Sequence, residues 1–427
     1  MNTTLKRSKK MLHSLAGLLV LLANSAAAQD SLSLQDCYAR AKENYPLIRQ
    51  MALLSRAKAY SLANASKAYL PQASLGGQAS YQSAVTQIPV SLPNIDIPSL
   101  SKDQYKVYAE LVQPLTDVIS IHQQQELIAV QAEAEEQKLE VELYKLKERI
   151  DHLFFGILLL DAQLGQVGLL LQDLQSGLDK TEAAIANGTA LKMNADLLHA
   201  EQLKAGQRST ELSASRKAYL DMLSAFTGQH LPAAVRLRTP AVQQVSGQIN
   251  RPELRLYESQ KRSFEAQEKL INARNIPRFQ LFFQGGLGRP ALNFLSNEFD
   301  PYYITGLRLN WSISGLYTAR KEKQLLHLNQ SMIDVQKETF LFNTRLSLSQ
   351  QDRELQKYQE LIQADRQTIT LRETVKTTAA VQMANGTLTA IDYLSYINAT
   401  DQARQNLLTH EVQYLLAQYT YQTISGN

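Results

Sequence analysis

A stretch of nearly seventy residues without glycine or proline limits the fold of this chain more than any other feature. It runs from Tyr317 to Asn385, and a stretch of similar length spans 118–186. Because an α-helix rises about 1.5 Å per residue, either stretch predicts a helix of roughly 100 Å. Helices of this length must pack side by side as coiled coils. The first stretch also contains four glycines, at which a bend is expected: Gly156, Gly165, Gly168 and Gly177.

The two long stretches belong to an internal duplication. Residues 44–49 (NYPLIR) resemble residues 250–255 (NRPELR) 206 positions later, and 186–189 (ANGT) match 384–387 at a shift of 198. Landmarks that recur in the same order predict a duplicated structural unit. The repeats are joined by a linker containing glycine and proline.

The duplication predicts the following domain organisation. The first repeat, 29–227, should contain a helix at 34–69, a β-hairpin at 72–115, a long helix at 118–186, a turn at 187–189 and a helix at 190–227. A linker should occupy 228–250. The second repeat, 251–427, should contain a helix, a β-hairpin at 278–313, a long helix at 316–384, a turn at 385–387 and a helix at 389–424.

The N-terminus has the pattern of an export signal over 1–28. A basic segment that ends at Lys10 precedes an apolar segment at 15–23 and the small residues Ala26 to Ala28. The alternative is a retained membrane anchor. Four of the positive charges behind the formal net charge of +4 lie in this segment, so the mature chain is close to neutral. Neutrality gives no support for nucleic-acid binding, and a single cysteine, Cys37, excludes an internal disulfide.

Four segments alternate between apolar and polar residues with the period of β-strands: 72–82, 104–113, 278–288 and 303–313. Ten-residue segments of this kind suit membrane-spanning strands, whereas a half-buried soluble sheet remains the alternative. No later segment has 18 uninterrupted apolar residues, which predicts a mature chain without a transmembrane helix. The residues predicted to face lipid are Leu75, Tyr81, Tyr105, Val107, Phe279, Leu281, Leu309 and Trp311. Those predicted to face water include Gln78, Lys106, Gln280 and Asn310.

Four strands cannot close a barrel, and an open sheet edge is not viable in lipid. Two copies would supply eight strands around a filled lumen, and three copies would supply twelve around a more open one. The strand number therefore predicts an obligate oligomer.

The sequence offers no convincing catalytic or ligand motif. Its histidines are scattered, and His199-Ala-Glu201 lacks the cysteine pair that a zinc deaminase needs. Gly285-Gly-Leu-Gly288 lies inside a predicted strand, where glycines allow close backbone approach and not phosphate binding. We expect no enzyme activity, cofactor or metal site.

Three segments and the order of elements resemble the TolC-like outer-membrane efflux proteins, the bacterial outer membrane factors. Residues 32–46 are similar to the usual mature N-terminus of that family. Residues 386–394, of the form Gly-Thr-x-Thr-x-x-Asp-x-Leu, are similar to its second periplasmic turn, and 188–198 resemble the first turn more loosely.

The resemblance implies a mixed α/β membrane protein in the outer membrane of a Gram-negative bacterium. A homotrimer would form a twelve-stranded barrel in outer-membrane lipid, with four strands per protomer, continuous with a long periplasmic α-helical coiled-coil barrel. It would conduct substrates passively as the exit duct of a tripartite efflux or type I secretion system. Its partners would be a periplasmic adaptor (membrane fusion) protein and an inner-membrane RND or ABC pump. The alternative is a secreted or periplasmic coiled-coil scaffold or adaptor without a barrel.

The resemblance also implies roles for the turns. The adaptor would dock at Asn187, Gly188, Thr189, Asn385, Gly386 and Thr387, although Asn-Gly is equally a plain helix stop. Asp392 would form a ring of carboxylates at the periplasmic entrance. As the third residue after Thr389, it also suits a helix cap. Arginines common near these turns in the family are replaced by Ala184, Gln382 and Leu388, which weakens any arginine-based lock.

Overall fold

The computed structural model describes residues 31–86, 100–242, 247–293 and 295–427. The export signal predicted at 1–28 lies outside these residues. The described helices are α1 (Leu34–Asn44), α2 (Arg49–Ser66), α3 (Val118–Tyr144), α4 (Leu146–Ala186), α5 (Lys192–Thr227), α6 (Pro252–Arg274), α7 (Gly315–Ala384) and α8 (Ala390–Ser425). The described strands are β1 (Gln72–Tyr81), β2 (Asp103–Pro114), β3 (Arg278–Arg289) and β4 (Asp300–Asn310).

The second long stretch forms one helix, and the first forms two. Helix α7 runs through 70 residues without a break, as the absence of glycine and proline predicts. The first stretch is interrupted at Lys145, between α3 and α4. The four glycines at which a bend is predicted all lie inside α4, so the interruption falls at none of them.

Two of these glycines are explained by packing. A Cβ atom at Gly156 would lie 2.4 Å from the Tyr219 ring of α5, and one at Gly177 would lie 3.2 Å from the Tyr393 ring of α8. The glycines leave room for aromatic rings of neighbouring helices. The contacts offset the cost of roughly 1 kcal/mol that an interior helical glycine carries.

The helix predicted at 34–69 is also divided. Tyr45 has an extended backbone (φ −61°, ψ 128°), and a short 3₁₀ turn at Pro46–Ile48 leads into α2. A residue that precedes proline is disfavoured in the α-helical region, which ends α1 at this point. A second 3₁₀ turn, Lys67–Tyr69, follows α2.

The chain divides into two compact units, and each takes segments from both sequence repeats. The helical unit contains the residues up to Ile48, Glu142–Arg251 and Asn343–Asn427. The sheet unit contains Arg49–Val141 and Pro252–Phe342. The repeats are therefore units of sequence, whereas the folded units combine matching parts of the two.

The sheet unit is built on one antiparallel sheet with strand order β1-β2-β3-β4. Its helices are linked laterally in the same order. Lys58 of α2 lies 4.0 Å from Glu136 of α3. Ion pairs of 2.5–2.8 Å link α3 to α6 and α6 to α7: Arg262–Glu133, Lys269–Glu126, Lys261–Asp334 and Lys337–Glu258. Helices α2 and α7 thus lie at the ends of the row, as β1 and β4 lie at the edges of the sheet.

The core of the helical unit surrounds α4, which packs against α1, α5 and α8. Its fully buried side chains include Phe154, Phe155, Ile157 and Leu174. By length and composition, Val118–Ala186 contains the one window in the described helices that is apolar enough to cross a membrane. Packing by three helices accounts for the apolar character of the α4 part of this stretch.

Candidate functional site

One face of the sheet is apolar and exposed. The pairing register places Leu75 opposite Ala109, Val107 opposite Leu287, and Phe279 and Leu281 opposite Leu309 and Leu307. Directly paired residues share a face, so the seven strand residues predicted to face lipid lie together, and Trp311 follows the end of β4. Leu75 is 87% exposed and Tyr81 is 77% exposed. An apolar face of this extent indicates a membrane or a partner surface.

The opposite face carries the polar residues. Gln78 pairs with Lys106, Gln280 with Arg308, and Asn310 with Arg278. The four residues predicted to face water therefore share this second face. Arg308 also forms an ion pair of 2.7 Å with Glu110 on the same face.

The two Asn-Gly turns have the same geometry. Gly188 and Gly386 adopt positive φ angles of 72° and 73°, which glycine tolerates best. Thr189 donates both its backbone N–H (2.9 Å) and its hydroxyl (3.0 Å) to the carbonyl oxygen of Ala184. Thr387 donates the same two groups to Gln382, each at 3.0 Å. The element that both turns share is thus a helix stop that a threonine closes.

The helices that flank the two turns pack into one cluster of the helical unit. Leu178 and Leu198 from the first turn's helices meet Ala379, Tyr393 and Ile397 from the second turn's helices. Both turns therefore lie at the same end of this helical bundle. Their six predicted docking residues are all exposed, and exposed apolar side chains lie beside them: Leu191, Met193, Val381 and Ile391.

Asp392 takes part in the N-terminal cap of α8, in which Thr389 is the N-cap residue. Its backbone N–H donates to the Thr389 hydroxyl (3.1 Å), and that hydroxyl donates to the Asp392 carboxylate (2.6 Å). The N-cap position of α5 is Leu191, whose side chain makes no capping hydrogen bond. Asn194 lies at the position of α5 that corresponds to Asp392 in α8. The carboxylate is exposed, so the capping role leaves it open to solvent.

A charged cluster, which sequence reasoning missed, joins three helices of the same unit. Lys376 of α7 lies 2.8 Å from Asp173 of α4 and 3.2 Å from Glu373. Arg404 of α8 pairs with Glu373 and lies 3.7 Å from Asp173. Two cations and two carboxylates thus link α4, α7 and α8 without the arginines expected near the turns.

A buried carboxylate, also missed, connects α1, α4 and α8. Asp151 is 1% exposed and accepts hydrogen bonds from the hydroxyls of Tyr38 and of Thr423 (3.2 Å to Thr423). Burial raises the pKa of Asp151 to about 7, although these hydrogen bonds and the nearby Lys147 oppose the shift. The one sequence signal was an acid between the apolar residues Ile150 and Phe154 on a long helix.

A second buried carboxylate, Asp401 of α8, accepts hydrogen bonds from Gln166 (2.9 Å) and Gln405. Burial raises the pKa of this group as well, against the effect of the Gln166 hydrogen bond and of two arginines.

In the part of the chain that the structure describes, no three His, Cys, Asp or Glu side chains cluster in a way suited to a metal ion.

Comparison of the fold with solved structures identifies its class. The outer-membrane channel OprN matches with a TM-score of 0.68 at 15% identity, over 92% of this chain and 90% of that one. The CmeC outer-membrane channel of Campylobacter jejuni matches with a TM-score of 0.63 at 12% identity, over 92% and 85%. The open state of the Neisseria gonorrhoeae MtrE outer-membrane channel matches with 0.59 at 15%, over 92% and 88%.

No family model and no curated protein matches the sequence. At these identities the comparison establishes the fold, which is that of outer-membrane channels. The resemblance to TolC-like proteins inferred from the sequence is confirmed at this level.

Proposed function

We propose that several copies of this chain form an exit duct across the bacterial outer membrane. The observation that carries the proposal is a four-stranded sheet with one exposed apolar face, one polar face and its edges at β1 and β4. Lipid would contact the apolar face, and the polar face would line a water-filled lumen.

Closure by further copies would satisfy both edges of the sheet. Joining β4 of one copy to β1 of the next removes every open edge, as lipid requires. Helix α7, at one end of the helix row, carries an exposed apolar stripe with coiled-coil spacing that a neighbouring copy would cover: Leu325, Leu328, Met332, Val335 and Phe342. At the other end of the helix row, Leu53 and Tyr60 of α2 are exposed. Three copies would give a twelve-stranded barrel, with a more open lumen than the eight strands of two copies would enclose.

The mass and location of the protein test this proposal. We expect the full chain, expressed in a Gram-negative host, to sediment with outer membranes and to resist carbonate extraction. In detergent, its protein mass should equal three copies. A monomeric protein released by carbonate would instead support a coiled-coil scaffold or adaptor without a barrel.

The exposed turns support docking of a periplasmic adaptor that couples the duct to an inner-membrane pump of the RND or ABC class. Cysteines introduced as Thr189→Cys and Thr387→Cys should crosslink to the adaptor in whole cells. Each variant keeps the backbone hydrogen bond that closes its turn, and the native Cys37 is buried. Ser349→Cys, at an exposed site in the middle of α7, is the matched control and should give no adaptor crosslink. Crosslinks between copies alone would leave the turns as helix stops.

Asp392 is proposed to add a ring of negative charge at the periplasmic entrance. Asp392→Asn keeps an acceptor for the Thr389 hydroxyl but removes the charge. We expect it to reduce cation over anion selectivity in planar bilayers, because a ring of carboxylates attracts cations. Asp196→Asn, which removes an exposed charge near the first turn, should have a smaller effect. Unchanged selectivity in Asp392→Asn would restrict this residue to its capping role.

A further inference from the structure

One row across the polar face of the sheet alternates glycine and tyrosine. Gly76 of β1 pairs with Tyr108 of β2, Tyr108 pairs with Gly286 of β3, and Gly286 pairs with Tyr302 of β4. The four residues therefore lie side by side on one face. We call them the tyrosine row.

Tyr108 lies over the glycine beside it. A Cβ atom placed on Gly76 would stand 2.6 Å from the ring carbon Cζ and 2.8 Å from the hydroxyl oxygen of Tyr108. The ring thus fills the space that a side chain at position 76 would need. An aromatic ring that covers a strand glycine lies against the wall of the sheet and turns one π face to the space above it.

Gly286 is required for close strand contact. A Cβ atom there would lie 2.3 Å from the backbone oxygen of Val107 and 2.7 Å from Tyr108 Cβ. Because backbone cannot yield as a flexible side chain can, the site excludes any larger residue. This explains part of the Gly285–Gly288 motif and keeps the surface flat between the two tyrosines.

The rows on either side each contain charged side chains. The row that holds Gln78 and Gly288 contains Lys106 and Asp300. The row on the other side contains Glu110, which pairs with Arg308 at 2.7 Å. The tyrosine row is therefore an uncharged aromatic level between two charged levels.

From this geometry we propose that the tyrosine row is a binding level for planar aromatic compounds that pass through the lumen. The proposal rests on the proposed function, because the polar face must line a channel. Three copies would bring six tyrosines to one level. Their π faces would stack on planar rings and attract ring-bearing cations.

Block of ion current by a planar aromatic cation tests the proposal. We expect ethidium, added to the purified oligomer in planar bilayers, to block the wild-type channel. The double variant Tyr108→Leu/Tyr302→Leu should weaken the block about tenfold, since stacking on two aromatic rings is lost. Tyr108→Phe/Tyr302→Phe keeps the rings and should retain the block. Block by tetrabutylammonium, a cation without a ring, should be the same in the wild type and in all variants.

Tyr303 supplies a matched control, since it is the neighbour of Tyr302 on the opposite face. Tyr303→Leu should leave ethidium block unchanged. If the wild type conducts ions and ethidium blocks Tyr108→Leu/Tyr302→Leu as strongly as the wild type, the tyrosine row is not a binding level. That result would leave the proposed function as an exit duct unaffected. If the inserted wild type conducts no ions, the proposed function itself fails.

Discussion

Leu281→Arg is expected to prevent assembly of the membrane-inserted oligomer, whereas Gln284→Arg is expected to permit it. Leu281 lies on the apolar face opposite Leu307, and Gln284 lies on the polar face opposite Glu110. An arginine on the lipid side of a barrel costs about 2–4 kcal/mol near the midplane. Every copy in the oligomer carries this cost. In Gln284→Arg, by contrast, the arginine lies beside the carboxylate of Glu110.

The yield of carbonate-resistant oligomer, measured by fractionation and by gel mobility without heating, distinguishes the two variants. We expect the yield of Leu281→Arg to fall at least tenfold and that of Gln284→Arg to stay within twofold of the wild type. Leu281→Met keeps an apolar side chain and should assemble normally. Equal assembly of both arginine variants would show that the apolar face does not contact lipid.

Raising the pH from 5 to 8 is expected to destabilise the wild type more than Asp151→Asn. The pKa of Asp151 is raised from 3.8 to about 7 by burial, so folding favours its protonated form. This contribution to stability is complete below pH 4 and is lost as the pH rises through 7. The loss between pH 5 and 8 is on the order of 2 kcal/mol per copy.

Charged and titratable groups around Asp151 come from several segments: Tyr38 from α1, and Lys147 and Glu148 from α4 itself. Arg251 and Lys147 both stack on the ring of Tyr144, close to Thr423. Asp151→Asn keeps an acceptor for the Tyr38 hydroxyl while it removes the titration. Its effect is therefore one of charge more than of shape.

Thermal unfolding of the full chain in detergent, followed by circular dichroism at both pH values, measures this effect. Between pH 5 and pH 8, the midpoint temperature of unfolding should fall further in the wild type than in Asp151→Asn. Asp401, whose pKa is also raised, leaves the variant some pH dependence. The exposed Asp196→Asn should behave as the wild type does. An identical loss in Asp151→Asn and wild type would contradict the role of this carboxylate.

The regular features of the fold could be predicted from local sequence. An alternation with period two and a run without glycine or proline are local signals. Their predicted ranges for β1, β2, β3 and α7 differ from the structure by one residue at most, whereas β4 begins and ends three residues earlier than the alternation predicts and leaves Trp311 outside the strand. The two Asn-Gly turns could also be predicted from local sequence, since glycine is the residue that best tolerates the positive φ found at Gly188 and Gly386. The sharing of one face by residues such as Leu75 and Val107 followed from the same period.

What sequence reasoning missed depends on contacts between distant segments. The packing role of Gly156 and Gly177 in α4 was missed, because the rings of Tyr219 and Tyr393 that fill the space beside them come from other helices. Asp151 meets Thr423 across 272 positions. No local pattern reveals such partners, and the compact units, which combine parts of both repeats, were hidden for the same reason.

Single-channel recording from the purified wild-type oligomer in planar bilayers tests the central claim most directly. A duct lined by the polar face of the sheet predicts discrete and reproducible conductance steps that scale with salt concentration. Protein that inserts into the bilayer as an oligomer, yet never raises the conductance above that of the bare membrane under any applied voltage, would contradict it.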